Sequence, residues 1–191
     1  MSNVNGQSPQ TKPGVASGLP EFLRAIPLRA RMLFYGLFFL SAVLLGLPWL
    51  ASRLDVLAPA WHVEIGWFRL IGVALVVVFA AIYIGSSYLL SRRGRGAYVE
   101  FDPPQELVTA GPYRWVRNPI AASVVGMFLG EAVALSSTGV LLLFIVSLPV
   151  AHLQVVLLEE PLLRKRFGRS YADYLTRVPR WFPRRPSRGV S

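Results

Sequence analysis

The stretch TGVLLLFIVSLPVAHLQVVLLEEP, residues 138–161, runs almost without charge to Leu158 and then sets two carboxylates and a proline side by side. At 1.5 Å per residue its apolar part reaches roughly 30 Å, one hydrocarbon thickness. It reads as a transmembrane helix, Thr138 to Leu158, that ends at Glu159-Glu160-Pro161. Carboxylates cost free energy beside hydrocarbon, so a membrane protein keeps them where they meet a cavity or a surface. This end of the helix is therefore the first place to look for a site.

Working outward, Ser136-Ser137-Thr138-Gly139 marks a tight turn from a preceding apolar segment, Ile120 to Leu135. About 16 residues reach only about 24 Å. The spacing predicts a crossing with local thinning of the bilayer, with a re-entrant hairpin as the alternative. Glu131 lies within it and reads either as a group bonded to a backbone carbonyl or as functional. Gly126 and Gly130 form a G-x-x-x-G pair suited to close helix packing within the chain. Trp67 to Leu90 is a further span, and Met32 to about Leu50 another. The latter is too long for a signal-peptide core and lacks a clear small-x-small cleavage site.

Composition agrees with a membrane protein. The 191 residues are 53% hydrophobic with a mean hydropathy of +0.47. The absence of cysteine excludes disulfides and thiolate chemistry. His62 and His152 make no metal-ligand spacing. The net charge of +10 would suit nucleic acid, but its placement follows topology. With four spans, 18 of the 20 basic residues fall on the side of both termini, leaving only Arg53 and Arg69 for the other. By the positive-inside rule both termini are cytosolic, and the charge meets anionic headgroups. The arginine-rich usage suggests a bacterial inner membrane. The expectation is an all-α, multi-span integral membrane helical bundle of about four transmembrane helices. Residues 1–20 read as a disordered tail, 21–90 as two N-terminal spans, and 91–191 as two spans with a long polar loop and a C-terminal helix.

Two polar segments then share the cytosolic end. The loop from Ser91 to Asn118 is long for a compact protein, which favours function. It holds Tyr98, Phe101, Val108, Tyr113, Trp115 and Val116 beside Pro103, Pro104 and Pro112, with Gly94, Gly96 and Gly111 for sharp turns. Pro119 stands where a helix would start, and free N–H groups there suit an anion. Arg114 and Arg117 add donors or form a snorkelling rim. Pro161 would begin a new helix to about Thr176, capped by Glu159 and Glu160; alternatively one carboxylate meets a cationic ligand. Phe167, Tyr171 and Tyr174 share a face of that helix, as an aromatic wall or as packing on the membrane.

Gly111-Pro112-Tyr113-Arg114-Trp115-Val116-Arg117-Asn118-Pro119, then Glu159-Glu160, then Phe167-Gly168-x-x-Tyr171-x-x-Tyr174 and Val178-Pro179-Arg180 resemble the isoprenylcysteine carboxyl methyltransferase family and the related phospholipid N-methyltransferases. The resemblance covers about Gly94 to Pro183 in order. It implies methyl transfer from S-adenosylmethionine to a lipophilic carboxylate or amine taken from the membrane. It implies that Leu107, Val108, Gly111, Pro112, Tyr113, Arg117, Asn118, Pro119, Glu159 and Glu160 hold the cofactor. Arg180 would orient an acidic acceptor, and Glu160 or Glu159 would serve an amine. The chain departs from the family pattern at Asn118, where His is common, at Ala121, where Tyr is common, and at Ser123, where Gly is common. A nicotinamide-dependent membrane reductase of the sterol-reductase kind and a non-catalytic lipid- or partner-binding protein are the competing readings.

Overall fold

Prolines shape the helices of this chain. The computed structural model describes residues 26–57, 65–95 and 104–183. The expected tail at 1–20, His62 and the loop residues Gly96, Tyr98, Phe101 and Pro103 lie outside the described residues. Helix α1 (Leu28–Ser41) passes through a π turn, Ala42–Gly46, into α2 (Leu47–Ser52). Pro48 has no N–H for the carbonyl one turn earlier, and the ladder widens there. A 3₁₀ turn, Arg53–Val56, closes this unit. Helix α3 spans Arg69–Gly94, α4 Pro119–Leu135, α5 Thr138–Gln154 and α6 Glu160–Arg177.

Among the described residues three apolar helical runs are long enough to cross a bilayer: Leu33–Val56, Gly66–Gly94 and Thr138–Arg177. The shorter α4 is the centre of the bundle, with Met127 wholly buried and Ile120, Phe128 and Ala132 nearly so. It packs along α3 on one side and α5 on the other. The described residues contain helices and turns and no strand. The chain is an all-α membrane helical bundle.

The α3–α4 seam brings backbone against backbone. A Cβ on Gly72 would strike the amide nitrogen of Ala134 and lie 2.5 Å from the carbonyl oxygen of Gly130. Gly130 in turn abuts Val76, and Gly126 abuts the Phe79 ring. The G-x-x-x-G pair thus serves packing inside the chain, as its spacing suggested. At the Leu135 end, Ser136 takes a left-handed conformation and Ser137 accepts a hydrogen bond from the Val140 N–H, making the tight turn into α5. Asp55 accepts from the Gly139 N–H at 2.7 Å, placing negative charge at the N-terminus of α5. Arg69 donates from Nε to the Ser136 hydroxyl at 2.9 Å.

One expectation changes form. Glu159 and Glu160 do not end one helix and cap another. Glu159 keeps helical backbone angles (φ −73°, ψ −52°) and makes no capping bond. A second π turn, Val155–Glu159, carries α5 straight into α6 past Pro161. Within the 40-residue run, the part from Thr138 to the break at Gly168 is roughly 45 Å long, about one and a half times the hydrocarbon thickness. The stretch beyond about Leu158 therefore extends past the hydrocarbon, and the chain turns at Gly168 (φ 52°, ψ −123°), whose angles no helix interior allows.

Candidate functional site

The C-terminal half of that long helix folds the second polar segment against the first. Tyr171, Tyr174 and Val178 form a small core of their own, with Leu107, Leu163, Phe167 and Leu175 packed on it. Phe167, Tyr171 and Tyr174 share the face that turns toward the loop rather than the lipid. The Tyr174 hydroxyl donates to the carbonyl of Tyr113 at 2.7 Å. Arg166 donates to the Pro104 carbonyl at 2.7 Å, and the Arg117 N–H donates to the Pro179 carbonyl at 2.9 Å. At the start of the loop, the Gly94 carbonyl accepts from the N–H groups of Gln105 and Glu106. Gly111, at φ 58°, turns the chain into the 3₁₀ turn Gly111–Arg114 that buries Tyr113.

Between α4 and the last stretch lies an ion-pair clamp. Arg180 grips Glu160 with two bonds, Nε to Oε1 at 2.8 Å and Nη2 to Oε2 at 3.0 Å. Arg117 donates from Nη1 to the same Oε1 at 3.0 Å. The Glu160 side chain is 8% exposed and that of Arg117 12%. Burial alone would raise the Glu160 carboxyl, but the Arg180 hydrogen bond and the charges of Arg117 and Arg180 outweigh it and hold the group below its ordinary value. The bidentate geometry is the one that suits arginine and carboxylate best. Next to the clamp, Trp181 donates from Nε1 to His152 Nδ1 at 3.1 Å, tying the end of the described chain to α5. His152 is thus paired with Trp181, and Glu131 lies elsewhere, with its Oε2 buried and unpartnered.

The loop, the start of α4, the end of α5 and α6 enclose a cavity of about 200 Å³. Of the residues singled out by sequence, Leu107, Val108, Tyr113, Arg117, Asn118, Pro119 and Glu159 line it, as do Phe167, Tyr171 and Tyr174. Gly111, Pro112, Glu160 and Arg180 do not line it and act behind it, through the turn and the clamp. Gln154, Leu158, Leu162, Leu163, Leu90 and Ile120 also line it and were not singled out by sequence. Their part depends on how α5 and α6 lie against α4, which no local motif records.

The polar equipment is specific. The Tyr113 hydroxyl, the Asn118 Nδ2 and the Arg117 Nε are buried without a hydrogen-bond partner. Such groups cost about 1–3 kcal/mol each when left unmet, and all three belong to residues that line this one cavity. Burial pushes the Tyr113 hydroxyl well above the ordinary tyrosine range, and Tyr174 and Glu159 nearby add to this. It remains a neutral donor. Tyr171 is pushed up to about 12, first by burial and then by the charge of Glu160. Of the three departures, Asn118 lines this cavity, whereas Ser123 spends its hydroxyl on the Pro119 carbonyl at 2.6 Å. Ala121 faces a second cavity.

Fold and site together define an integral membrane protein with a small-molecule cavity built at one end of its bundle. The model of the phospholipid methyltransferase family matches residues 67–170, and the chain belongs to that family, whose members are membrane methyltransferases. The match takes in α3, the loop, α4, α5 and the first part of α6, and of the residues that line the cavity Tyr171 and Tyr174 lie beyond it. Among curated proteins none matches the chain.

Proposed function

We propose that this protein transfers a methyl group from S-adenosylmethionine to a lipophilic acceptor drawn from the membrane, and that the cavity between the loop, α4 and α6 holds the donor. The observation that carries this reading is the set of buried, unmet groups on Tyr113, Asn118 and Arg117 around one cavity. They suit a ligand rich in hydroxyl, carboxylate and ring-nitrogen acceptors. Glu159 supplies negative charge on the same wall, favourable to a cationic centre. S-Adenosylmethionine, when bound, supplies an electrophilic methyl whose C–S bond breaks with the electron pair going to sulfur as the acceptor oxygen or nitrogen bonds to carbon. The chain's own residues align the reactants and exclude water, through the aromatic wall of Phe167, Tyr171 and Tyr174.

In this reading Glu160 holds the site rather than touching the donor. Arg180 has two nitrogens on Glu160, and its Nη1 is the one left to meet an acidic acceptor. The site end faces the cytosol, where the arginines of the loop and of α6 lie; Arg69 and Asp55 belong to the opposite end. The test is transfer of radiolabelled methyl from S-adenosylmethionine to the organic phase of a native lipid extract by the full chain in nanodiscs. Saturable incorporation that falls at least tenfold in Asn118→Ala is expected. Incorporation equal to that of empty nanodiscs across all lipid fractions would refute the reading.

A further inference from the structure

The last turn of α3 and the residue after it carry Arg92, Arg93 and Arg95. No charged residue lies between Arg69 and Arg92, and the rise from one to the other is roughly 35 Å at 1.5 Å per residue. This exceeds the roughly 30 Å of hydrocarbon. With Arg69 at one interface, the three arginines stand at the other, in the layer of lipid headgroups. Tyr88, one turn below, is exposed, as interfacial tyrosines are. The Arg92 guanidinium lies 5.7 Å from the Tyr88 ring centroid and donates from Nη1 to its hydroxyl at 3.0 Å. That engages one of five N–H groups.

A cavity of about 380 Å³ opens between these arginines and loop residues 106–110. Its wall is more polar than apolar, the reverse of the donor cavity. Three guanidinium groups meet there with a single carboxylate, that of Glu106. Arg95 Nε lies 3.3 Å from Glu106 Oε1, but the two side chains are 71% and 56% exposed. Such a pair holds weakly and leaves Arg95 open to a stronger acceptor. The cavity thus keeps a net positive charge at the depth of lipid phosphates. Guanidinium forks match phosphate oxygens, and basic pockets between helices on the cytoplasmic side suit anionic headgroups.

Glu106, Leu107 and Val108 line this cavity and the donor cavity alike, and so form the partition between them. The Gly94 carbonyl accepts from the N–H groups of Gln105 and Glu106 at 2.7 and 3.2 Å. The turn that bears the arginines is therefore tied to the partition. We propose that this cavity seats the phosphate of an anionic phospholipid of the cytosolic leaflet, held by Arg92, Arg93 and Arg95, and that the lipid braces the partition at residues 106–108. The lipid lies on the far side of the partition from the donor cavity and is not the methyl acceptor. Only the name given to the neighbouring cavity rests on the methyl-transfer reading.

The test uses the full chain in nanodiscs of equal parts phosphatidylcholine and phosphatidylglycerol, with lipids retained after detergent extraction counted by native mass spectrometry. Arginines outnumber carboxylates in the cavity by two, which predicts a preference for phosphatidylglycerol on the order of tenfold. Arg92→Gln/Arg93→Gln/Arg95→Gln should abolish the preference. Lys165→Gln/Arg169→Gln/Arg177→Gln, which removes the same charge from exposed positions of α6, should leave it intact. Thr109→Glu, which sets a second carboxylate in the cavity, should weaken it on its own. Hydrogen exchange at residues 105–110 should be slower with phosphatidylglycerol than in phosphatidylcholine alone, and the first triple variant should erase the difference. Equal loss of preference in the two triple variants would reduce the effect to diffuse surface charge and overturn the proposal. Displacement of the lipid by millimolar inorganic phosphate would assign the cavity to a free anion and overturn it as well, and so would exchange at residues 105–110 that ignores the lipid. Intact lipid preference and slowed exchange, with no S-adenosylhomocysteine binding in either lipid, would uphold the lipid site and refute the methyl-transfer reading alone.

Discussion

The two ends of α4 use polar groups in opposite ways. At the Leu135 end they close the packing: Ser137 caps α5, Asp55 meets the Gly139 N–H, and Arg69 meets Ser136. Below them Gly72 and Gly130 bring α3 and α4 into backbone contact. Glu131, with its unmet Oε2, is the exception. At the Asn118 end, donors on Tyr113, Asn118 and Arg117 stay buried and unmet around a cavity. The Arg117–Glu160–Arg180 clamp holds that cavity's walls together from outside it. One end is packed for stability, and the other carries the cavity and the unmet groups on which the proposed donor site rests. A protein that did nothing but span the membrane would have no reason to differ in this way.

The sharpest way to break the packed end is Gly72→Leu. The new side chain would meet backbone atoms of Gly130 and Ala134 that cannot rotate away. The loss should exceed the roughly 1–3 kcal/mol of ordinary overpacking, and little monodisperse protein should survive detergent extraction. Full recovery with an unchanged melting temperature would show that the seam is looser than described.

Breaking the clamp should come next in size. Glu160→Ala leaves Arg117 and Arg180 facing each other without their shared carboxylate. Removing one partner of a buried pair costs about 3–5 kcal/mol, and here the cost falls locally. The segment from Val178 to Trp181 should become the first site of limited proteolysis, while the melting of the packed end changes little. If cleavage there is no faster than in wild type, the clamp does not hold the segment.

Tyr174→Phe should act in the same place with a smaller effect, about 1–3 kcal/mol, because it leaves the Tyr113 carbonyl unmet. Faster hydrogen exchange at the Gly111–Arg114 turn is the expected readout. The pH dependence follows from the depressed Glu160 carboxyl. Its stabilising contribution is complete above the ordinary value of 4.5 and is lost as pH falls below that through the folded-state value. Proteolysis of the C-terminal segment should therefore be flat through neutral pH and rise only in acid, and the acid rise should be absent in Glu160→Ala. The smallest effect belongs to Trp181→Phe, which removes one exposed bond to His152 and should change stability by under about 1 kcal/mol.

The packed end and the spans were legible in the sequence because hydropathy and glycine spacing are local quantities. The G-x-x-x-G pair at Gly126 and Gly130, the turn at Ser136-Ser137 and the apolar runs each declare themselves within one or two helical turns. The Tyr171 and Tyr174 face was legible for the same reason, by its i, i+3 spacing, whereas Phe167 reaches it across the break at Gly168. What was not legible depends on elements distant in the chain. Glu160 is 43 residues from Arg117 and 20 from Arg180, so nothing local told a clamp from a direct ligand contact. Gln154 and Ile120 became notable only once α4 and α5 were seen to share two cavities. The carboxylate pair with Pro161 read as a break. A π turn instead carried the helix past the proline, because a widened ladder tolerates the missing N–H.

The central claim is that the Asn118 end of α4 is a binding site for the methyl donor, and calorimetry with S-adenosylhomocysteine on the full chain in detergent tests it most directly. The account predicts saturable binding that weakens about tenfold or more in Tyr113→Phe and in Asn118→Ala, with melting temperatures close to wild type. No heat of binding at millimolar ligand, from protein whose melting shows it folded, would contradict it.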